Sequence, residues 1–281
     1  GKPYTSSEFC IGNENTFEFI QNVLTEVMSI FPSKIIHIGG DEASREHWEK
    51  CPKCQKRIKE EGLKDEAELQ SYLIKRVELF LNENGRQLLG WDEILDGGLA
   101  PNATVMSWRG EDGGIAAARS GHDASITPGS RCYVDSYQGL PDTQPEAIGG
   151  FLTLEKVYSF NPIPSELTAE ESKHILGAQA NLWAEYIINE NHMEYMMYPR
   201  LLALAEVVWT NKENKSWDNF KARANGFIPM LQNKGYNTYN LSKEPFVELT
   251  SNKENGSIDI TLSSELYPAE IRYTTDGTEP N

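Results

Sequence analysis

No stretch of 18 apolar residues occurs in this chain, so no segment of it is expected to cross a membrane as a helix. Positive charge is scarce as well: 26 Lys and Arg stand against 42 Asp and Glu, a formal net charge of −16. That balance argues against nucleic acid as a partner, because phosphate binding needs basic patches. It also disfavours anionic membrane surfaces and polyanionic substrates, and a neutral ligand fits it best. No internal repeat or low-complexity tract is present, and Gly1 opens into a polar segment with no signal peptide. With a leader lying before Gly1, an exported protein, periplasmic or extracellular in a bacterium, is the expectation.

Cysteine is sparse too, with Cys10, Cys51, Cys54 and Cys132 alone. Cys51-Pro52-Lys53-Cys54 resembles half of a zinc ribbon, with His47 close by, but the second Cys-x-x-Cys is absent. A disulfide or plain thiols are expected there rather than a metal.

What the chain does have is a globular composition. Its 281 residues are 39% hydrophobic and 24% charged, enough for a large core in one barrel-type domain or two smaller ones. Strand-like runs alternate with helical patterns. Helices are expected at Thr16–Phe31, Asp65–Leu81, Gly113–Ser120 and Glu194–Trp209, and strands at Lys34–Ile38 (buried), Gln87–Trp91, Thr104–Trp108, Ala124–Thr127 and Ile175–Trp183. Such alternation implies right-handed βαβ units and a parallel sheet. The Pro- and Gly-rich stretch from Ser130 to Lys173 reads as loops over a site. From about Glu244 the texture changes to short antiparallel strands at Pro245–Leu249, Ser257–Leu262 and Ile271–Tyr273. The expected division is therefore a barrel portion over 1–240 and the start of a small all-β module over 241–281.

The most informative stretch is Lys34-Ile35-Ile36-His37-Ile38-Gly39-Gly40-Asp41-Glu42. A β-branched strand enters two glycines and delivers two adjacent carboxylates. Neighbours on a regular strand face opposite ways, and the glycines allow the turn that lets both acids reach one mouth. Close carboxylates resist joint ionisation, so one pKa is expected to rise and hold a proton near neutrality. That chemistry suits acid-catalysed bond cleavage, glycoside hydrolysis above all. His37 reads as a hydrogen-bonded core residue, and Asp92 and Glu93 as caps of the next helix.

Three tryptophans fall at strand ends: Trp91, Trp108 and Trp183, the last two residues before Glu185. The carboxyl ends of barrel strands form the active face, where indole rings stack on sugar faces and carboxylates accept hydroxyl hydrogens. Trp48, Trp209 and Trp217 lie on helical patterns and read as packing residues.

Taken together, His37–Glu42, Leu89-Gly90-Trp91-Asp92-Glu93, Met106-Ser107-Trp108-Arg109-Gly110 and Gly177–Glu185 closely resemble motifs of the family 20 glycoside hydrolases, the β-N-acetylhexosaminidases, in the same order. The resemblance runs from about Ile11 to Gly235. It implies a (β/α)8 TIM barrel, of which this chain supplies about strands 4 to 8, followed by a partial small β module. It also implies an exo-acting, retaining hydrolase of terminal β-linked N-acetylglucosamine or N-acetylgalactosamine. In that mechanism the substrate's own acetamido oxygen attacks and no enzyme carboxylate does. On the resemblance, Glu42 is the acid and base, Asp41 holds the acetamido N–H, and Tyr133 bonds the acetamido oxygen. Trp91, Trp108 and Trp183 wall the pocket, while Asp135 and Glu185 bind sugar hydroxyls. No cofactor or metal is implied. The partners expected are glycans ending in N-acetylhexosamine.

The resemblance also implies that the first three βα units and a sugar-gripping arginine lie before Gly1. Five strands leave two open edges, so the missing half or a second copy is an expected partner. The alternative is a non-catalytic carbohydrate-binding or assembly fragment. A metal-dependent hydrolase using His37, Asp41 and Glu42 would need a histidine set that this chain does not show.

Overall fold

The structure, a computed structural model, describes residues 8–252 and 256–280. It divides into two compact units, residues 1–129 with 162–178, and residues 130–161 with 179–281.

The first unit is built on a five-stranded sheet: β1 (Ile35–His37), β2 (Gln87–Trp91), β3 (Thr104–Ser107), β4 (Ala124–Ile126) and β5 (Ile175–Gly177). The strands lie side by side in chain order and every pair is parallel, the sequential arrangement that a (β/α)8 barrel requires of five consecutive strands. Helix α1 (Glu14–Ile30) begins at Asn13, whose side chain accepts from the Asn15 N–H, and stops at Phe31 before Pro32. A short α2 (Glu46–Lys50) and α3 (Pro52–Glu61) follow β1. Pro52 opens α3 at its first position and Gly62, at φ 66°, ends it, the expected asymmetry of proline at the start and glycine past the end. Helix α4 (Glu66–Glu83) is capped by Asp65 through the Glu68 N–H at 3.0 Å. It buries Leu69, Ile74, Val77 and Leu81, and α5 (Asp112–Arg119) packs on β3 and β4.

Two expectations for the sheet need correction. β1 is an edge strand with Ile35 and His37 exposed and only Ile36 buried, because among the described strands it pairs along one edge alone, with β2. β5 ends at Gly177, and the chain from Ala178 to Trp183 is irregular, so Trp183 is not at a strand end.

The second unit contains α6 (Gly129–Cys132, begun by the last residue of the first unit), α7 (Leu154–Tyr158), α8 (Glu190–Met197), α9 (Arg200–Trp209) and α10 (Trp217–Asn233). The single helix expected over Glu194–Trp209 is broken at Tyr198-Pro199. Proline lacks the N–H that the helix needs and disfavours helical backbone before it. Beyond these helices, β6 (Phe246–Asn252) and β7 (Ser257–Ser263) pair antiparallel. The third tail strand expected at Ile271–Tyr273 is irregular backbone. Among the described residues, no helix is long and apolar enough to cross a membrane.

Candidate active site

In the first unit the turn after β1 carries the two acids. Gly39 and Gly40 have φ of 74° and 92°, and Glu42 and Arg45 follow at 51° and 65°. Non-glycine residues rarely take such angles, and they persist only where the surroundings over-determine them. Here the ties are explicit. Gln70 Nε2 donates to the Gly40 carbonyl at 2.9 Å, and Arg45 donates to Gln70 Oε1 at 2.9 Å and to Asp96 at 2.7 Å. Ser44 donates from both its backbone N–H and its hydroxyl to Glu8 Oε1, at 3.0 and 2.7 Å. A side chain at position 40 has no room, because a Cβ there would stand 2.6 Å from Ile94 Cγ2.

The turn presents Asp41 and Glu42 to one cavity of 490 Å³, lined also by His37, Gly40 and apolar side chains such as Val23, Leu24, Leu73 and Val77. Glu42 is exposed and Asp41 half-buried. Burial pushes the Asp41 carboxyl above the usual range, its own backbone N–H opposes this, and the charge of Glu93 adds to it. The expected rise of one carboxyl pKa thus falls on Asp41, and the neighbouring charge behind it is that of Glu93.

His37 is not a core residue. It opens to the cavity beside the acids, with its ring 4.7 Å from that of Trp91 at 62°. The Gly39 N–H donates to His37 Nδ1 at 3.0 Å, which leaves Nε2 to carry the proton of the neutral ring. Desolvation lowers the His37 pKa, so the neutral form is favoured further.

Asp92 and Glu93 do not cap a helix through their side chains. They lie inside a 3₁₀ turn, Asp92–Leu95, with both carboxylates buried. Arg109 Nε donates to Asp92 Oδ1 at 2.8 Å, and Trp108 Nε1 donates to Glu93 Oε2 at 3.0 Å. Burial, and then the hydrogen bond with Glu93, push Asp92 up to about 6 against the pull of Arg109. This pair orients Trp108 and Arg109 at the end of β3, a function that the capping expectation missed. The available signal was four polar or aromatic residues at two adjacent strand ends. Trp91 is 7% exposed and Trp108 half-buried.

The second unit holds the other expected residues. Tyr133 forms a bridge with Asn181, and its ring lies 6.2 Å from that of Trp183. Trp183 is 40% exposed and Glu185 is exposed. Asp135 is buried, and its Oδ1 has no hydrogen-bond partner among the described residues. Burial raises the Asp135 pKa, its own backbone N–H and Arg200 lower it, and Glu185 raises it.

The reason this loop stands where it does is Arg200, which sequence reasoning did not single out. The side chain is fully buried. Its guanidinium donates to the carbonyls of Ser136, Leu152, Val134 and Met196 at 2.9, 3.0, 2.5 and 2.7 Å. The residues on either side of Asp135 are therefore both held by one cation.

The description "Glycosyl hydrolase family 20, catalytic domain" matches residues 2–212. A Beta-hexosaminidase of Porphyromonas gingivalis is 48% identical over 279 residues, which is 97% of this chain and 35% of that protein. A Beta-hexosaminidase of Vibrio furnissii is 40% identical over 197 residues, 68% of this chain and 32% of that protein. The chain thus spans about a third of the length of these curated relatives. Among solved structures, the GH20 exo beta-N-acetylglucosaminidase of Vibrio harveyi, in complex with N-acetylglucosamine, superposes with a TM-score of 0.77 at 33% identity, over 84% of this chain and 38% of that one. A beta-N-acetylhexosaminidase of Bacteroides fragilis gives 0.70 at 30% identity, over 82% and 47%.

Proposed function

The chain belongs to glycosyl hydrolase family 20, its five parallel strands being about the fourth to eighth of a (β/α)8 barrel, and from that premise we propose that it carries the acid–base machinery of an exo-acting β-N-acetylhexosaminidase. The observation that carries the reading is the tied turn of Gly39–Arg45, which holds Glu42 open to a cavity beside the half-buried Asp41.

In the first step Glu42 gives its proton to the glycosidic oxygen as the C–O bond breaks, and the substrate's acetamido oxygen bonds to the anomeric carbon. In the second, Glu42 takes a proton from water as that water opens the oxazolinium ring and restores the acetamide. Asp41 accepts from the acetamido N–H, which gathers positive charge between the two steps. Trp91 and Trp108 offer aromatic surface. On the second unit, the Tyr133 hydroxyl donates to the acetamido oxygen, Trp183 adds a further ring, and Asp135 and Glu185 accept from sugar hydroxyls. The unpartnered Oδ1 of Asp135 supports that last assignment, since buried acceptors are normally satisfied. A held acetamido group gains from orientation as any intramolecular nucleophile does.

The test is turnover by the complete protein of paired gluco- and galacto-configured aryl β-N-acetylhexosaminides, with a thiazoline as inhibitor. Hydrolysis blocked by the thiazoline supports the reading, whereas sugar binding with no turnover supports a carbohydrate-binding role instead.

Only the ionised Asp41 stabilises the positive charge that gathers at the acetamido N–H, so kcat/KM falls as pH drops through the Asp41 pKa. Burial and then Glu93 act to place that limb above the ordinary aspartate range. Glu93→Gln removes one of the two raising influences, and the acid limb of the kcat/KM profile should move to lower pH. An unmoved limb would show that Asp41 does not set it.

A further inference from the structure

Outside the acid turn, three thiols meet in the first unit. Cys10 Sγ lies 3.6 Å from Cys51 Sγ and 3.8 Å from Cys54 Sγ, across 41 and 44 residues of chain. All three sulfurs lie within 4.8 Å of one another. Along the chain, Cys51 and Cys54 stand near His47. The structure replaces His47 with Cys10, and the imidazole instead stands 3.8 Å from the Glu8 carboxylate.

Two turns are pressed together to make this triangle. The Cys10 carbonyl accepts from the Asn13 N–H at 3.0 Å and from the Thr16 hydroxyl at 2.8 Å, which fixes the turn entering α1. Cys51 is the residue before α3 and Cys54 lies in its first turn. Gly12 permits the contact, because a Cβ on it would stand 2.1 Å from the Lys53 carbonyl carbon. Around the thiols lie Ile11, Phe17, Trp48 and Leu69, all buried.

We propose that Cys10, Cys51 and Cys54 bind one zinc ion, which staples the segment before α1 to the Cys51–Cys54 turn. A tetrahedral zinc with bonds of about 2.3 Å to sulfur sets its sulfurs about 3.8 Å apart, and the separations of 3.6 and 3.8 Å from Cys10 lie close to this. A disulfide needs about 2.05 Å and uses two sulfurs, leaving one of three unused. Among the described residues no further His, Cys, Asp or Glu brings a ligand atom into the group, so water or an added donor completes the tetrahedron. On binding, three thiol protons leave to solvent and three metal–thiolate bonds form, with no change of oxidation state. The staple also bears on the acid turn, since the same segment supplies Glu8 to Ser44 and the Phe9 carbonyl to Trp48 Nε1, the latter at 2.9 Å.

The experiment uses the complete protein, purified reduced and without chelator, and reads metal and stability rather than turnover. Elemental analysis should find about one zinc per chain. Cobalt titrated into metal-free protein should give thiolate-to-metal absorption and the d–d bands of a tetrahedral site, and stripping zinc should lower Tm. Cys10→Ser and Cys51→Ser should lose most of the cobalt absorption, and Cys132→Ala should keep it. If the serine variants do not fold, the wild-type metal content and cobalt spectrum decide alone. Reduced protein that takes up neither zinc nor cobalt overturns the proposal, as does a disulfide between any two of the three in the protein as isolated.

Discussion

Replacing Glu42 with glutamine in the complete protein is expected to lower kcat by about 10²–10⁴-fold on an N-acetylglucosaminide with a poor leaving group, with KM little changed. Glutamine keeps the shape and length of the side chain but has no proton to give. The strained backbone should survive the change, because φ 51° at this position is held by bonds at Gly40, Ser44 and Arg45 rather than by the Glu42 carboxylate. Tm should therefore match the wild type, which separates lost chemistry from lost structure. The leaving group provides an internal control. An aryl oxygen of low basicity departs with little help, so the first step should suffer less on a nitrophenyl glycoside than on a disaccharide. In kcat/KM, which reports the first step free of the base role Glu42 has in the second, an equal loss on both, or a near-normal value on the disaccharide, would remove Glu42 from the acid role.

Much of this arrangement was legible along the chain because its signals are local. A β-branched run, two glycines and two acids are contiguous, and the structure places His37–Glu42 at one cavity. Four of the strands, β1 to β4, start and stop within a residue or two of the hydrophobic runs that announced them. What could not be read depends on partners far away in sequence. Whether β1 is buried depends on its neighbours and not on Ile35 and Ile36 themselves, and its edge position exposes Ile35. Asp92 and Glu93 look like cap residues until Trp108 and Arg109, just past the end of the next strand, donate to their carboxylates. Cys10 carries no metal signature of its own, and only folding sets it against the Cys-x-x-Cys turn. The break at Pro199 is a local signal that the long apolar stripe of Glu194–Trp209 masks along the chain.

Arg200 is the clearest case of a long-range determinant, and its removal should have the largest effect on stability. Arg200→Met strands the carbonyls of Ser136, Leu152, Val134 and Met196 in a buried place. An unmet buried acceptor costs about 1–3 kcal/mol, so a loss of at least about 3 kcal/mol is expected. With about 2–4 °C per kcal/mol at this size, Tm should fall by about 6–12 °C. Arg200→Lys should restore little, because one ammonium on a flexible stem cannot repeat a planar fork that reaches four carbonyls. Stability alone would fit any buried arginine, so the decisive readout is binding. Val134 and Ser136 flank Asp135, and the guanidinium also draws the Asp135 carboxyl down against burial. The lysine variant, assayed well below its own Tm, should therefore raise KM for the sugar more than it lowers kcat. A variant that loses stability while KM stays at the wild-type value would confine Arg200 to packing and detach it from the placement of Asp135.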